Sequence, residues 1–472
     1  MKHLLSRHSN SFVVGLKDRA FLFSDTKACN DSPAGSIIEL LPLPDPKVIK
    51  QSAPPPPTSV KTLREQNEPI KDTINKQKLS KIKIHDRRKS ADEQLNEICA
   101  VAIFGINDTL HCAIARNNKT LDIYAVKLDH SSAKTSQPSM NYRTPKRVSS
   151  FAFANIPSAS ESSTTVPLLI SVDLAGDSYA YNLVKKGQRL LLGHTASMLT
   201  GVTIANRGVD NGNRLLLTSD RDEKIRISRF PETYIIEGFL LGHTAFVTGF
   251  VVLPSALAVS CGGDMTLRLW DLPSQVEISS ISTSNDENSS ANEIPTAIVA
   301  SSCGGIVAII FDDSRRLSIY EITSTKKSEN PSLELLDNVD CPSQPLSIVF
   351  NEPSTTGSDT RIELTVLMKD PDFVAVYDIR HTTEEDVVKP IAVPKNEIGV
   401  LQALRDVASD KKITMPNTIL EKDDFGKPVL RKENETRGPA AAEAPWNRVE
   451  RIEIAKEREK RRKKKPKLAN DS

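Results

Sequence analysis

The chain has 472 residues, of which 38% are apolar and only 5% aromatic, with a formal net charge of +2. That length holds one large or two to three ordinary domains, with a core built from Val, Ile and Leu more than from rings. No apolar run approaches the roughly 18 residues a membrane helix needs, and the six cysteines include no Cys-x-x-Cys pair, which argues for isolated thiols over a disulfide framework or a zinc site.

Met1 to Asn10 carries basic residues but leads into no long apolar segment, so no secretory signal is expected. The small net charge conceals an uneven distribution. Residues 61–90 and 451–472 each hold ten Lys or Arg against four acids, +6 apiece, leaving about −10 on the other 420 residues. A near-neutral to acidic body with two basic appendages is the expected picture.

In chain order, short strands of alternating apolar residues follow turn-like residues. The first is Ala20-Phe21-Leu22-Phe23, after Lys17-Asp18. A tract at about 46–95 follows, with Pro54 to Pro57 in a row and then a charged stretch, and is read as a disordered insertion. Further strands are Leu121-Asp122-Ile123-Tyr124 and Ala180-Tyr181-Asn182-Leu183. Two segments then align directly: Leu191-Leu192-Gly193-His194-Thr195 returns 49 residues later as Leu240-Leu241-Gly242-His243-Thr244. Each leads to a turn and a strand, Thr218 to Arg229 in one copy and Ser260 to Asp271 in the other. Alternation puts Ile225 and Ile227, like Leu267 and Leu269, on one sheet face, with Arg226 and Arg268 on the other. Leu317-Ser318-Ile319-Tyr320 and Val374-Ala375-Val376-Tyr377-Asp378 complete the set, and Ser279 to Asn292 looks like a surface loop.

The Gly-His…Trp-Asp pattern over 240–271 resembles the WD-repeat signature, in which each unit of roughly 40–45 residues supplies one four-stranded blade. Seven marks, near 23, 124, 183, 228, 270, 320 and 377, predict an all-β chain: a seven-bladed β-propeller over 1–400, with the insertion at about 46–95 between the first two blades. Residues 401–450 are expected to be an extension partly packed on it, and 451–472 a basic disordered tail. The ring is expected to close with the N-terminal strand beside the last blade. Gly193, His194, Gly242, His243, Asp264, Trp270 and Asp271 are the structural repeat positions, and Cys261 and Cys303 are read as buried small residues at strand ends.

An enzyme needs a convergent acid, base or nucleophile. Gly-x-Ser-x-Gly and His-Glu-x-x-His do not occur, and Gly262-Gly263 and Gly304-Gly305 lack the Lys-Ser or Lys-Thr and the helix of a phosphate loop. Nor does a methyltransferase-type glycine loop follow a first strand. No catalytic residue, no cofactor and no metal is therefore expected of this chain.

The run from Ser219 to Ser228, in which Ser228 stands where the neighbouring copy has Trp270, continues through Phe230-Pro231 to Phe239-Leu240-Leu241-Gly242-His243. Together with Leu191-Gly193-His194 and Ser197-Met198-Leu199, it resembles the non-catalytic WD-repeat subunit of the eukaryotic tRNA (guanine-N7-)methyltransferase, most closely over about 170–270. The resemblance implies a scaffold for a separate S-adenosylmethionine-dependent subunit that methylates guanosine in the tRNA variable loop. It implies a heterodimer that meets tRNA through the complex, with no membrane role. It makes Lys224 and Arg226 the leading docking residues, with Asp220, Arg221, Asp222 and Glu223 around them. Ordinary solvated charges are the plainer reading of the same residues.

Arg461, Arg462, Lys463, Lys464, Lys465 and Lys467 resemble a nuclear localisation signal, so the nucleus is the expected compartment. The basic run from Lys76 to Lys89 holds no aromatic residue, so it offers no platform for stacking bases. The competing function is a general WD-repeat peptide-binding hub in a nuclear assembly.

Overall fold

In the computed structural model the described residues are 5–8, 11–16, 19–24, 36–41, 96–106, 109–127, 135–157, 165–195, 197–206, 214–284, 293–323, 331–351, 354–356, 359–369, 374–379, 388–390, 421–422 and 428–429. The insertion at 46–95, nearly all of the extension at 401–450 and the whole tail at 451–472 lie outside them.

Seven antiparallel sheets follow one another along the chain, all within Met1–Leu430, and form a seven-bladed propeller. Blade I is Leu5–His8, Ser11–Leu16, Arg19–Ser24 and Ser36–Leu40. Blade II is Ile98–Ile106, Thr109–Arg116, Thr120–Lys127 and Met140–Arg143; blade III is Val148–Pro157, Thr165–Asp173, Asp177–Asn182 and Gln188–Gly193. Blade IV is Leu199–Asn206, Arg214–Asp220, Lys224–Phe230 and Ile236–Leu241; blade V is Val247–Val252, Leu257–Gly262, Thr266–Asp271 and Val276–Ser282. Blade VI is Pro295–Ala300, Ile306–Phe311, Arg316–Thr323 and Ser332–Asp340; blade VII is Pro345–Phe350, Asp359–Met368, Val374–Ile379 and Val388–Pro390. The anchor strands read from the sequence are the third strands of these blades, with Tyr124 and Trp270 among them.

Each blade buries apolar side chains against the next, because a four-stranded sheet with two apolar faces needs a neighbour on both. Leu169 and Tyr181 of blade III pack with Phe104, Ala113, Leu121 and Ile123 of blade II. Ile225, Ile227 and Leu240 of blade IV pack with Val247, Ala258 and Trp270 of blade V. The last seam joins Leu346, Leu367, Val374 and Val376 of blade VII to Leu5, Val13 and Val14 of blade I. The N-terminal strand does stand beside the last blade, but as the inner strand of its own complete blade. Closure is therefore by side-chain packing and not by lending a strand to blade VII, whose fourth strand comes from downstream.

Two irregularities recur. The pairing of first and second strands shifts register near the start of the first strand in blades II to VII, skipping Cys99, Ser149, Thr200, Thr248, Thr296 and Leu346. Such a bulge raises local twist, and four of the displaced residues use buried hydroxyls to bind backbone or a neighbouring hydroxyl. In blades II to VI the turns between second and third strands each carry one residue at positive φ: Lys119, Gly176, Glu223, Met265 and Asp313. At Gly176 a Cβ would lie 2.3 Å from the Ser197 carbonyl oxygen, so the turn and the link to blade IV meet backbone to backbone. Because each blade is an antiparallel meander, these turns and the links between blades lie at one end of the ring, called here the turn face.

Two loop readings differ from the structure. Ser279–Ser282 belong to the outer strand of blade V, since Ile278 and Ile281 supply enough half-buried apolar surface to keep a Ser-rich strand paired. Cys303 is exposed at the turn between the first two strands of blade VI, its thiol 3.1 Å from the Ser301 hydroxyl; Cys261 is buried as expected.

Blade V holds the repeat residues in one hydrogen-bonded chain. The Trp270 indole N–H donates to Ser260 Oγ (2.8 Å), that hydroxyl meets His243 Nε2 (2.7 Å), and His243 Nδ1 meets the Asp264 carboxylate (3.0 Å). Burial pushes Asp264 up, but bonds from His243, Thr244 and Thr266 prevail and hold it at about 2. Gly242 allows the approach: a Cβ there would stand 3.0 Å from the Trp270 ring. Asp271 caps the following turn by accepting the Ser274 N–H (2.9 Å).

Trp270→Phe should keep the ring in its seam while removing the donor to Ser260. The expected cost is about 1–2 kcal/mol, read as a lower urea midpoint. Ser260→Ala should cost less in the Trp270→Phe background than in the wild type, because the two substitutions share one interaction. Equal costs in both backgrounds would break the proposed chain.

Candidate functional site

Blade IV departs from this arrangement, and the charged run lies there. His194, on the link from blade III, places Nδ1 2.9 Å from Asp220 Oδ2 and Nε2 2.9 Å from Thr218 Oγ1. The aligned acid of blade V is Asp264, whose counterpart by sequence is Asp222; here Asp220 takes the histidine and Asp222 is left half-exposed. Asp220 is buried, and its second oxygen accepts the Lys224 backbone N–H (3.1 Å). Asp220 is thus a structural residue of the seam between blades III and IV. Arg221 is half-buried with Nε 3.3 Å from Asp222 Oδ1, while Glu223, at φ 72°, and Lys224 are exposed on the turn face.

Arg226 shares one strand face with Lys224 but not its environment. Ser228 stands where Trp270 would be, so the space beside the blade III link is vacant of a ring. Arg226 folds into it: Nε donates to Ser228 Oγ (2.9 Å), one terminal nitrogen to the Thr233 carbonyl (3.1 Å) and the other to the Gly193 carbonyl (3.4 Å). Burial of the guanidinium lowers its pKa. Thr233 in turn donates to the Leu191 carbonyl (2.6 Å). Arg226 therefore ties blade IV to the outer strand of blade III.

Beside these charges lies an apolar rim that the sequence reading did not single out. The large apolar side chains exposed among the described residues are Val184, Leu190, Tyr234, Ile236, Phe239, Leu241, Val276 and Leu335. Four belong to the outer strand of blade IV and the turn before it. Tyr234 is 79% and Leu241 63% exposed. Leu241 pairs across the sheet with Lys224, and Phe239 with Arg226. One signal was present in the sequence. In Ile236-Glu237-Gly238-Phe239-Leu240-Leu241 apolar residues occupy both parities of the strand, so once Leu240 is buried, Leu241 and Phe239 must face outward.

The same end of the seam holds an unusual acid. Asp173, at the end of the second strand of blade III, occupies the position of Asp220 but has no histidine partner. One oxygen accepts the N–H groups of Ala175 (2.8 Å) and Asp177 (3.1 Å), and the other is buried with no hydrogen-bond partner. Burial pushes it up to about 6, against the pull of those backbone donors.

Among the described residues no group of His, Cys, Asp or Glu could hold a metal ion, and no helix is long and apolar enough to cross a membrane. Residues 184–366, the outer part of blade III through most of blade VII, match the family model described as the tRNA methyltransferase TRM82 WD40 domain. The chain is similar to proteins described as the tRNA (guanine-N(7)-)-methyltransferase non-catalytic subunit. With wuho of Culex quinquefasciatus it shares 28% identity over 51% of this chain and 55% of that one. With trm82 of Aspergillus oryzae it shares 35% over 32% of each, and with WDR4 of Bos taurus 41% over 23% and 26%. The chain thus spans about half the length of these relatives or less. Over that core it is homologous to the WD-repeat non-catalytic subunits that its sequence resembles. A chain of the solved mitotic checkpoint complex superposes over 80% of this chain and 90% of its own, with TM-score 0.51 and 13% identity, a likeness of fold alone.

Two outcomes follow from the geometry. Arg226→Ala should destabilise the propeller by about 1–3 kcal/mol, because it strips several partners at a half-buried seam, whereas Lys224→Ala should change stability by less than about 0.5 kcal/mol. Paired urea titrations compare them. Asp173→Asn tests the second point. With its folded pKa above the unfolded value, Asp173 contributes stability that is present below about pH 4 and is lost as pH rises through about 6. The Asn variant should therefore be more stable than wild type by about 1–3 kcal/mol at pH 7.5, with the gain gone near pH 4.

Proposed function

We propose that this chain is the non-catalytic scaffold of a tRNA (guanine-N7-)methyltransferase. It pairs with a separate S-adenosylmethionine-dependent subunit and keeps that subunit in its active form. The observation that carries the reading is a coincidence of position: the eight large apolar side chains exposed among the described residues all fall inside 184–366, the segment that matches the TRM82 WD40 model. A rim of exposed aromatic and aliphatic side chains, edged by charge, is the composition of a docking surface.

The catalytic subunit is the occupant assigned to that rim. Tyr234, Ile236, Phe239 and Leu241 provide the apolar contact, and Lys224 with Glu223 and Asp222 sets orientation at its edge. Arg226 acts one step back, by holding the outer strand of blade III against blade IV. The complex meets tRNA and transfers a methyl group to guanine N7 in the variable loop, with the cofactor on the partner. The basic cluster from Arg461 to Lys467 makes the nucleus the proposed compartment; alanine substitution of those residues should shift a fluorescent fusion to the cytoplasm.

Reconstitution tests the division of labour. The purified chain alone should not methylate tRNA, and the catalytic subunit with this chain should form N7-methylguanosine. Binding of S-adenosylmethionine to the isolated chain in a calorimeter would defeat the reading. Lys224→Glu combined with Leu241→Asp should abolish co-elution of the two subunits and leave the melting curve unchanged. A desolvated contact of this kind costs roughly 2–5 kcal/mol when broken, which weakens binding more than tenfold. Intact co-elution would move the docking surface elsewhere on the ring.

A further inference from the structure

The turn between the third and outer strands of blade III is a hairpin that the ring holds but does not cover. Because the blade is a meander, this turn lies at the end of the ring opposite the turn face. It runs Val184-Lys185-Lys186-Gly187-Gln188-Arg189-Leu190, and every one of these residues is exposed, Val184 at 67%. The backbone beneath them is pinned. Asn182 Oδ1 accepts the N–H groups of Val184 (2.9 Å) and Lys185 (2.8 Å), and the Asn182 N–H donates to the Gly187 carbonyl (3.0 Å). The Gly187 N–H donates in turn to the Tyr142 hydroxyl of blade II (3.2 Å), while Leu183 is buried in the seam between the two blades.

The charge on this hairpin is uncompensated. Among the described residues Lys185, Lys186 and Arg189 make no ion pair and no side-chain hydrogen bond, and the run itself contains no acid. Thr233 of blade IV bonds the Leu191 carbonyl (2.6 Å) and so brings the corresponding turn of blade IV alongside. That turn adds one exposed carboxylate, Glu232, since Glu237 is taken by Arg229 (2.7 Å). Three cations therefore stand against one acid. Exposed apolar side chains frame them along the chain, Val184 before the lysines and Leu190 after Arg189. Leu190 pairs with Tyr179 and Arg189 with Ala180, so these two project to opposite faces of the outer strand. Neither Val184 nor Leu190 takes part in the contact assigned above to the catalytic subunit.

We propose that this hairpin is a docking surface for an acidic segment of a second protein partner, one whose carboxylates are flanked by apolar side chains. The mixed chemistry points to a peptide. Lys185, Lys186 and Arg189 attract carboxylates, and Val184 and Leu190 gain only from a ligand that brings apolar surface of its own. A phosphate backbone would leave both apolar side chains in water. The pinned backbone presents these groups at little ordering cost. The partner differs from the catalytic subunit because the hairpin lies at the other end of the ring from the Lys224 turn. The inference goes beyond the scaffold reading and does not depend on it.

The test uses the full chain and a pair of fluorescent synthetic peptides of equal charge, a run of glutamates flanked by leucines in one and by serines in the other. The basic runs at 61–90 and 451–472 attract both peptides alike, so the hairpin is read as a preference for the leucine-flanked one. By anisotropy the wild type should show that preference at about tenfold near 100 mM salt. Lys185→Glu with Lys186→Glu should remove it by repelling either peptide from the hairpin. Val184→Ser with Leu190→Ser should remove it while leaving the charge-driven binding in place. Lys185→Arg with Lys186→Arg should keep it. All these side chains are exposed, so the melting curves should match the wild type. The preference should also persist when the catalytic subunit is bound. No preference in the wild type, or one that survives the glutamate or the serine variant, overturns the proposal. So does its loss in the two-subunit complex, which would give the hairpin to the catalytic subunit. Tighter binding of a short single-stranded RNA, kept by the serine variant and lost by the glutamate variant, would overturn it as well.

Discussion

Everything in this ring depends on how the third strand of each blade grips the blade before it. A propeller wedge widens outward, so the inner strands meet easily and the outer half of each seam must be bridged by long side chains. In blade V, Trp270 spans that gap and is anchored to Ser260, His243 and Asp264. The indole is apolar enough to fill the seam and carries one donor to fix its angle, which is why the four residues act as a unit.

The other blades meet the same need with different chemistry. Tyr124 reaches back with its hydroxyl to the Leu41 carbonyl (2.9 Å), stapling blade II to the end of blade I, where Ser36–Leu40 also gains a short parallel partner in Thr135–Ser136. Tyr181 tilts against Tyr142 of blade II at 4.8 Å between ring centroids. Arg316 of blade VI stacks on Phe311 and reaches the Thr283 carbonyl on the link from blade V. Arg226 belongs to this group. With serine at 228 the ring is lost, and a guanidinium reaches across the seam to the Gly193 carbonyl while bonding the Thr233 carbonyl of its own blade. Neighbouring charges on one strand thus have separate duties, Lys224 outward and Arg226 across the seam.

The blade count and the anchor strands were legible in the sequence because they rest on local alternation and on turns that Gly and Asp close. Even Ser228, far from the Trp-Asp pattern, could be placed by its spacing from Asp220 and by Ile225 and Ile227. The site was legible only in part. That Lys224 and Arg226 share a face follows from period two; that Arg226 also reaches Gly193 depends on a different blade and leaves no trace in the alternation. The exposed rim was missed for a related reason. Leu240-Leu241 reads as core until the neighbouring seam shows that only Leu240 has anything to pack against. Asp173 was equally invisible, because its cost arises from a histidine that blade III lacks.

The outer strands show why exposed apolar surface collects on blade IV. An outer strand has a ring neighbour along part of its face only, and its free edge invites further pairing unless it is blunted by charge or polarity. Blade VI carries Glu334, Asp337 and Asp340 along Ser332–Asp340, and blade V carries serines along Val276–Ser282. Each exposes a single large apolar side chain, Leu335 and Val276 respectively. Blade IV has Ile236, Phe239 and Leu241 outward, with Glu237 drawn into an ion pair with Arg229 (2.7 Å). Next to it the outer strand of blade III adds Leu190, which is 57% exposed. Apolar surface is therefore gathered on adjoining blades where the ring itself cannot cover it. The tie made by Arg226 joins those two strands, in the seam where serine stands at the ring position.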